Sequence, residues 1–547
     1  MPLQTLSAAG GLATFISDLH RPINKAKVLN NVNQVRKGII TSRYRGWQRV
    51  RATAFNGGAK FLGFAEFVTS SSGAHTILFQ VGNKVYSYDF GSATETQIAT
   101  GLNTTAIPTM NMFAPYSAGP SHMIYTNGVD QGLRITSTAA SAALLLNGAA
   151  YGVGATGAPM PVKTYTKPKF NLPFLDRMLI WGFDGTDIRH DLLITNTGTS
   201  ETVTQTAPLL ATDGDMRQLP PSLGLPTGGF AFRLSNSSNE QIAILGMERG
   251  VCLLQGTDAT NFSITVLTSE YGIPSNHTWV QLYNDVWFLT TKGVSSFSTL
   301  AGNSSLTADM LSKDIQDIVS RINPAHAHKA HAYHHKLVQD VVFWIPLDAN
   351  TECSDAVIAN YNNDFSQPGH PVPQWFTKSG TEVTASAFFD NVPYGGNSAG
   401  LFQQHYLSTL YDTTPVSFEI MLALLGAQDP LADFDIKQLG VICEGASQKF
   451  RINTYMYLNT VISRTMRIEA NPLDFEMTAD DSGTLTTLGA WVLGSSSFPA
   501  DQVKVLEQYT PMGSCRFAEF QLKGETAEDQ IDFVQLSADI TKLGYKQ

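Results

Sequence analysis

The sequence predicts an all-β protein, with a β-propeller of six to seven degenerate blades followed by a C-terminal β-sandwich-like platform domain. Short runs rich in Val, Ile, Phe, Tyr and Trp, bounded by Gly, Asn, Asp or Ser, recur from about residue 60 to residue 410. They group into units of roughly 40 to 55 residues, the length at which a four-stranded blade repeats. Beyond residue 412 the alternating segments become longer, which favours a separate sandwich.

The strand runs fall into six or seven groups. They lie at residues 61–90, 110–136, 177–198, 230–268, 279–298, 336–362 and 385–411. Around the turn at 291–293, apolar residues occupy alternate positions, as expected for half-buried hairpins. Because the repeats are degenerate, a stack of sandwiches also fits. We predict a basic N-terminal arm (1–55) that is part of the platform, a propeller (56–411) and the platform domain (412–547).

One segment has helical periodicity. Ser305–Asn323 places apolar residues at i, i+3/i+4 spacing, with Thr307 as an N-cap and Pro324 after its end. This pattern predicts a surface helix between strands.

Composition favours an assembling protein without a membrane span. Of 547 residues, 43% are hydrophobic and only 15% charged, below the roughly 25% charged residues of ordinary soluble domains. Low surface charge is typical of chains that bury surface against neighbouring subunits. No basic leader with an apolar run begins the sequence and no run of 18 apolar residues occurs, so we expect no secretion and no membrane-spanning segment. Four widely spaced cysteines exclude close-pair zinc and redox motifs and indicate reduced thiols.

Charge is divided unevenly along the chain. Residues 1–55 hold nine basic side chains against one acid, Asp18, whereas residues 56–547 hold 27 basic and 45 acidic side chains. A basic arm on an acidic body can grip nucleic acid or dock onto an acidic neighbouring subunit. The basic residues are not interleaved with stacking aromatics, which favours docking. The candidate docking residues are Arg43, Arg45, Arg49 and Arg51.

The sequence indicates no cofactor site and no metal site. The glycine pattern at 152–157 is followed by Pro159 and Pro161, which exclude the helix that a dinucleotide site requires. Five histidines lie between His326 and His335. Imidazole is a common metal ligand, but no HExxH glutamate accompanies them, so a polar connector or a pH-sensitive inter-subunit contact is favoured.

Signatures of catalysis are also missing from the sequence. It contains no GxSxG elbow and no P-loop. Carboxylates that could serve a glycosidase are scattered, and hydrolysis requires two of them about 5 to 9 Å apart. They are Asp184, Asp187, Glu248, Asp285 and Asp340. We therefore predict no catalytic residues and a protein that is not an enzyme.

Several segments, taken in order, resemble one known family. The first are Leu29–Gly38 and Arg43–Trp47, followed by Tyr125–Gly128 and Leu175–Gly182. The most specific lie between Gly246 and Phe297: Arg249–Gly256, Tyr271–Ser275, Asn284–Leu289 and Lys292–Val294. Leu311–Ile315 and Gln374–Phe376 follow in the same order. Together they resemble the tail nozzle and packaged-DNA stabilisation proteins of short-tailed bacteriophages, whereas residues 412–547 match only loosely.

The resemblance implies a structural protein of the virion tail, assembled in the bacterial cytoplasm. It implies a cyclic ring, most simply a hexamer, below the portal-adaptor complex, which retains packaged DNA and conducts it during ejection. Its partners are then portal-adaptor ring proteins, tail fibre or needle proteins, and double-stranded DNA in transient, non-specific passage. Two other hypotheses remain: a receptor-binding or carbohydrate-degrading propeller of the tail, and an intracellular scaffold propeller.

Overall fold

The structure is a computed structural model that describes most of residues 3–545. The residues outside the description are 9, 37–38, 42–45, 69–74, 117–120, 140–142, 146–150, 153, 156–163, 207–208, 234–240, 283–284, 298–309, 362–372, 405–409, 426–431, 445–449, 459–460, 472–475, 481–484, 487–502 and 526–531. The predicted all-β fold, with a β-propeller and a sandwich-like platform, is confirmed.

The N-terminal arm contributes short strands to several sheets. They are β1 (Leu3–Ser7), β2 (Val28–Asn30), β3 (Asn33–Arg36), β4 (Ile39–Thr41) and β5 (Trp47–Arg49). A 3₁₀ turn at Phe55–Gly58 leads into the propeller.

The first three blades are four-stranded antiparallel sheets. Blade one is β6 (Phe61–Val68), β7 (His75–Val81), β8 (Lys84–Asp89) and β9 (Thr94–Thr100). Blade two is β10 (Thr109–Phe113), β11 (His122–Thr126), β12 (Leu133–Ile135) and β13 (Ala143–Leu145). Three short strands precede blade three: β14 (Tyr151–Gly152), β15 (Gly154–Ala155) and β16 (Thr164–Tyr165). Blade three is β17 (Phe170–Phe174), β18 (Arg177–Trp181), β19 (Asp191–Ile194) and β21 (Asp215–Gln218). The short strand β20 (Thr204–Gln205) lies in the chain between β19 and β21.

Blades four to seven complete the propeller. Blade four is β22 (Pro226–Arg233), β23 (Gln241–Met247), β24 (Val251–Gln255) and β25 (Ser263–Thr268). Blade five has three described strands, β26 (Val280–Leu282), β27 (Asp285–Thr290) and β28 (Gly293–Ser296). Blade six is β29 (His331–His335), β30 (Asp340–Ile345), β31 (Asp355–Asn360) and β32 (Gln374–Lys378), and blade seven contains β33 (Ala385–Phe389), β34 (Val392–Asn397) and β35 (Gly400–Gln404). Further 3₁₀ turns lie at Pro221–Leu223 and Ala327–Lys329.

Hairpin turns in this region follow from local sequence. Asp390 and Asn391 join β33 to β34 with φ of 47° and 63°. Two successive positive φ values are the pattern of a type I′ turn, whose twist suits a hairpin, and Asp and Asn tolerate that conformation.

The blades close into a ring through their first strands. The contacts run from β6 to β10, β10 to β17, β17 to β22, β26 to β29, β29 to β33, and β33 back to β6. Blades four and five are linked by Phe230, whose ring stacks on Trp279 with centroids 6.2 Å apart. The described residues therefore form a closed seven-bladed propeller.

The arm supplies the fourth strand of blade seven. β5 pairs antiparallel with β35, placing Trp47 opposite Gln404 and Arg49 opposite Phe402. Residues 47–49, which the sequence analysis assigns to the arm, therefore lie in the propeller. The last blade joins segments about 350 residues apart in the chain.

The platform consists of two sheets around a common core. After β36 (Leu410–Tyr411) and β37 (Thr414–Pro415) come β38 (Ser417–Met421), β39 (Ala432–Glu444), β40 (Phe450–Leu458), β41 (Val461–Asn471), β42 (Glu476–Asp480), β43 (Leu485–Thr486), β44 (Val503–Cys515), β45 (Phe517–Glu525) and β46 (Asp532–Tyr545). One sheet has the order β3-β4-β46-β39-β44, with β1 also on β46, and the other has the order β2-β38-β45-β40-β41-β42-β43. Buried Leu6, Val441 and Leu536 of the first share a core with Ile420 and Phe520 of the second.

Strand β2 joins the platform to the propeller. It pairs antiparallel with β38 and also in parallel with β32 of blade six, where Asn30 lies opposite Thr377. Blade six and the second platform sheet are therefore one hydrogen-bonded sheet.

The helix predicted for Ser305–Asn323 is wrong in length. Residues 305–309 lie outside the described residues, and the rest forms a 3₁₀ turn at Lys313–Ile315 followed by α1 (Gln316–Val319). The apolar side chains of Ile315, Ile318 and Val319 are buried as the pattern predicts. The chain then turns so that Ile322 bridges to Leu347, which ends the helix after one turn.

Within the described part of the chain, no helix has the length and apolar character needed to cross a bilayer.

Candidate functional site

The described basic side chains of the arm pair with acidic side chains of the same chain. The pairs are Arg21 with Asp18, Lys25 with Asp314, Lys27 with Asp18 and Glu519, Arg49 with Asp412, and Arg51 with Glu95. Their partners lie in the arm, before α1, in the platform, after blade seven and in blade one. Much of the arm's charge is therefore directed onto the acidic body of its own chain, a possibility that the charge pattern alone did not reveal.

The four candidate docking residues fall into two pairs. Arg49 lies in β5 and its Nη2 donates to Asp412 Oδ2 at 2.7 Å. Arg51 Nη1 donates to Glu95 at 2.5 Å, and its guanidinium lies 4.3 Å from the Phe55 ring centroid. The Arg51 pair joins the arm to blade one, and the Arg49 pair joins β5 to the segment after blade seven. Arg43 and Arg45 lie outside the described residues.

A central channel of about 490 Å³ follows the propeller axis. Every blade contributes a lining residue, among them Phe64, Asn111, Leu172, Phe230, Trp279, Ala332 and Ser386. The loop before β26 enters this channel, and Gly228 makes room for it, because a Cβ there would lie 2.7 Å from Asn276 Cα.

Asn276 closes the channel with two hydrogen bonds. Its Oδ1 accepts from the backbone N–H of Gly229 in blade four at 2.9 Å. Its Nδ2 donates to Thr109 Oγ1 in blade two at 3.1 Å. Because blades two and five lie on opposite sides of a seven-membered ring, the second hydrogen bond spans the bore. The axis of one propeller is therefore obstructed by its own side chains.

A second cavity of about 830 Å³, called the funnel here, opens at the face where the first strands begin. Thr109, Asn276 and His277 line both the channel and the funnel, so they form the partition between them. The funnel wall comes from turns of blades two to six, and its charged side chains are Lys169, Asp184, Arg189 and Glu248, with His328 also on the wall. The funnel thus combines both signs of charge above a polar floor.

The structure brings two of the five scattered carboxylates together and separates the others. Asp184 and Glu248 both line the funnel. Asp340 is buried in blade six, where it accepts a hydrogen bond from Asn360 Nδ2 at 2.7 Å. Asp187 is exposed in the β18–β19 connection, and Asp285 begins β27.

The histidine cluster is distributed over blade six. His331 and His335 point inward from β29, while His334 Nε2 lies 2.5 Å from Tyr361 Oη. The His331 ring stacks on Trp344 with centroids 6.4 Å apart. His326 and His328 lie before β29, with ring centroids 6.4 Å apart. Among the described residues, no group of three or more His, Cys, Asp or Glu side chains could hold a metal ion.

Stability is expected to fall as the pH drops from 6.5 to about 4. Burial lowers the pKa of His277 and of His331 from 6.5 to about 4. In this window the unfolded chain binds more protons than the folded chain, so full stability is present above pH 6.5 and is lost on acidification. The measurement is the thermal unfolding midpoint as a function of pH. His331→Phe, which keeps a ring against Trp344, should reduce the slope, and an unchanged slope contradicts this assignment.

Sequence reasoning missed Lys169, Arg177 and Asn276. Lys169 immediately precedes an inner strand, and Asn276 directly follows the Tyr271–Ser275 segment. The sequence shows where these residues lie in the chain, but not which residues they contact in the fold. Arg177 lies inside the Leu175–Gly182 segment and is buried.

The described cysteines Cys252, Cys353 and Cys515 are free and buried, and burial raises the pKa of each thiol.

The ring of seven sheets defines a β-propeller protein with an attached platform. No family model and no curated protein matches the chain. Among solved structures, it is similar to BBS1N in complex with ARL6DN, soaked with mercury, at 10% identity and a TM-score of 0.35 over 65% of this chain and 96% of that one. It is also similar to the extracellular domain of the putative one-component system BT4673 from B. thetaiotaomicron, at 10% identity and a TM-score of 0.39 over 83% and 60% of the two chains. A mitotic checkpoint complex chain matches at 10% identity and a TM-score of 0.36 over 71% and 95%.

Proposed function

We propose that this chain is a non-enzymatic structural protein of the tail of a short-tailed bacteriophage. In this role it forms a ring-shaped nozzle, most simply a hexamer, below the portal-adaptor complex, with tail fibre or needle proteins as further neighbours. The ring retains packaged DNA and conducts it during ejection. The observation that carries the proposal is the ordered series of segments resembling that family.

The segments that resemble the family, where they are described, make packing and turn contacts, which supports a structural role for the chain. Trp181 is buried in blade three, and Tyr271–Ser275 leads into the loop that closes the channel. At Gly272 a Cβ would lie 2.0 Å from the Glu248 carbonyl oxygen, so only glycine fits. None of these contacts requires a substrate.

The obstructed channel decides where DNA passes in this proposal. The major groove alone of B-DNA is about 12 Å wide, whereas the channel holds about 490 Å³ and is crossed by the Asn276–Thr109 hydrogen bond. The duplex therefore passes between copies, through the lumen of the ring. Acidic residues outnumber basic ones by 18 in residues 56–547. An acidic lumen repels phosphates, so DNA slides without the salt-dependent grip that lysine and arginine provide.

The decisive experiment is negative-stain microscopy of the purified protein, alone and mixed with portal and adaptor proteins. We expect closed rings with a central pore, attached below the adaptor. A protein that stays monomeric with these neighbours contradicts the nozzle. Cleavage of a host polysaccharide by the purified chain would instead support the carbohydrate-degrading alternative.

Two double variants separate docking from folding within the arm. Arg43→Ala with Arg45→Ala is expected to weaken adaptor binding while leaving the propeller folded. Arg49→Ala with Arg51→Ala removes two partly exposed ion pairs and two cation–π contacts, with Phe402 and Phe55, which should lower the free energy of unfolding by about 1–2 kcal/mol. Chemical denaturation and adaptor co-sedimentation measure the two effects. Unchanged adaptor binding in the first variant contradicts docking by Arg43 and Arg45.

A further inference from the structure

The funnel contains an exposed lysine, Lys169, whose stem packs against two glycines. The stem of Lys169 lies between Gly128 and Gly182, where an added Cβ would stand 3.1 Å and 3.0 Å from Lys169 Cβ. Its Nζ lies 5.1 Å from the centroid of the Phe170 ring. Both glycines have positive φ, 79° and 73°, and belong to the turns after β11 and β18. Two turns and the Phe170 ring therefore contact the stem of Lys169, and its ammonium group is exposed to the solvent of the funnel.

This ammonium group has no acidic partner within ion-pair distance among the described residues. Arg189, the second funnel cation, likewise has no ion pair among the described residues. The surrounding protein lowers the pKa of Lys169 by desolvation, and Glu248 opposes this effect only from a distance. Two unpaired cations in one concave site attract an anionic group.

The carboxylates of the funnel limit what the anion can be. Glu248 is held in place because its Oε2 accepts a hydrogen bond from the backbone N–H of Leu225 at 3.1 Å. Its other oxygen and the exposed Asp184 are acceptors that repel a polyanion and attract hydroxyl donors. The Thr227 hydroxyl is buried and has no hydrogen-bond partner in the described structure. A volume of about 830 Å³ suits a small molecule.

We propose that the funnel binds an acidic saccharide, with its carboxylate at Lys169 and Arg189 and its hydroxyl groups at Glu248 and Asp184. Thr109, Asn276 and His277, which also line the channel, form the floor of this pocket. Binding involves no bond cleavage. The site lies on a single chain, so it stands independently of ring formation.

The test is saturation-transfer NMR and calorimetric titration of the purified chain. The probes are glucuronate, galacturonate and N-acetylneuraminate, with glucose, acetate and a Glu-rich peptide as comparisons. We expect at least one acidic sugar to bind, glucose to fail, and acetate to bind about ten-fold or more weakly. Lys169→Met and Arg189→Gln should each weaken the acidic sugar about ten-fold. Lys167→Met is the matched control, because Lys167 is exposed two residues away and does not line the funnel.

Several outcomes overturn the proposal. They are failure of all three acidic sugars to bind, acetate binding as tightly as the sugars, and undiminished binding in both variants. Binding of the peptide in place of the sugars assigns the funnel to an acidic protein segment and equally overturns it. Unfolding midpoints identify a misfolded variant, and if Lys169→Met does not fold, Arg189→Gln decides the question.

Discussion

Trp47→Ala is expected to lower the free energy of unfolding by about 3–5 kcal/mol, the usual cost of removing a large buried aromatic side chain. Trp47 is fully buried in β5, the strand that completes blade seven. Its ring meets Trp344 edge-on with centroids 6.4 Å apart, and it covers Gly395, where an added Cβ would lie 3.1 Å from the indole. Losing the side chain leaves a cavity where the arm, blade six and blade seven meet.

Equilibrium denaturation in urea measures this effect. Gln48→Ala is the matched control, since Gln48 lies on the same strand with an exposed side chain, and its cost should stay within about 0.5 kcal/mol. Trp47→Phe should cost less than Trp47→Ala, because the indole N–H has no hydrogen-bond partner in the described structure and the ring is partly retained. Equal stability of the Trp47→Ala and Gln48→Ala proteins would show that burial of the Trp47 side chain on β5 does not stabilise the propeller.

Arg177→Met is expected to cost about 3–5 kcal/mol, because a buried charged donor holds backbone carbonyls together. Arg177 is 2% exposed. Its Nη1 donates to the carbonyls of Thr195, at 2.7 Å, and Asp213, and its Nη2 donates to that of Ala211. Burial lowers the pKa of the guanidinium, while nearby carboxylates oppose that shift. Methionine fills the space but leaves three acceptors without their donor.

The matched control for Arg177 is in the same blade. Arg217 pairs with Asp215 at 2.6 Å, and its own side chain is 37% exposed. Because glutamine can still donate a hydrogen bond to the buried Asp215, Arg217→Gln should cost less than Arg177→Met. Hydrogen exchange gives a second measurement: Arg177→Met should remove protection from residues 195–213, and Arg217→Gln should not. Similar losses in the two variants would contradict the assigned role of Arg177.

The blades were predictable from the sequence because residues close together in the chain specify each of their hairpins. Each strand group of the sequence corresponds to one blade, since alternating apolar residues and turn residues specify a hairpin from neighbouring positions. The predicted helix failed for the same reason, because the periodicity at 310–322 reports burial of Ile315 and Ile318 but not where the chain turns. Local pattern identifies the buried face and leaves the length of an element open.

The candidate site was predictable only in part. The basic arm was evident from charge, but its pairing with Asp314, Asp412 and Glu519 joins residues hundreds of positions apart. The opening of the funnel has no sequence signature, because five blades contribute to it. Nothing in the sequence around Lys169 indicates a binding site. Only the structure shows that Gly128 and Gly182 contact its stem.

By itself the sequence determined the all-β class, the approximate blade spacing, the longer strands of the platform and the contrast between a basic arm and an acidic body. Only the tertiary structure decided that β5 completes blade seven, that β2 fuses blade six to the platform, and that Asn276 closes the axis by reaching Thr109. The physical reason is the range of the interactions. Strand and turn preferences act between neighbours in the chain, whereas ring closure, ion pairs and cavities depend on which distant residues the fold brings within a few ångströms.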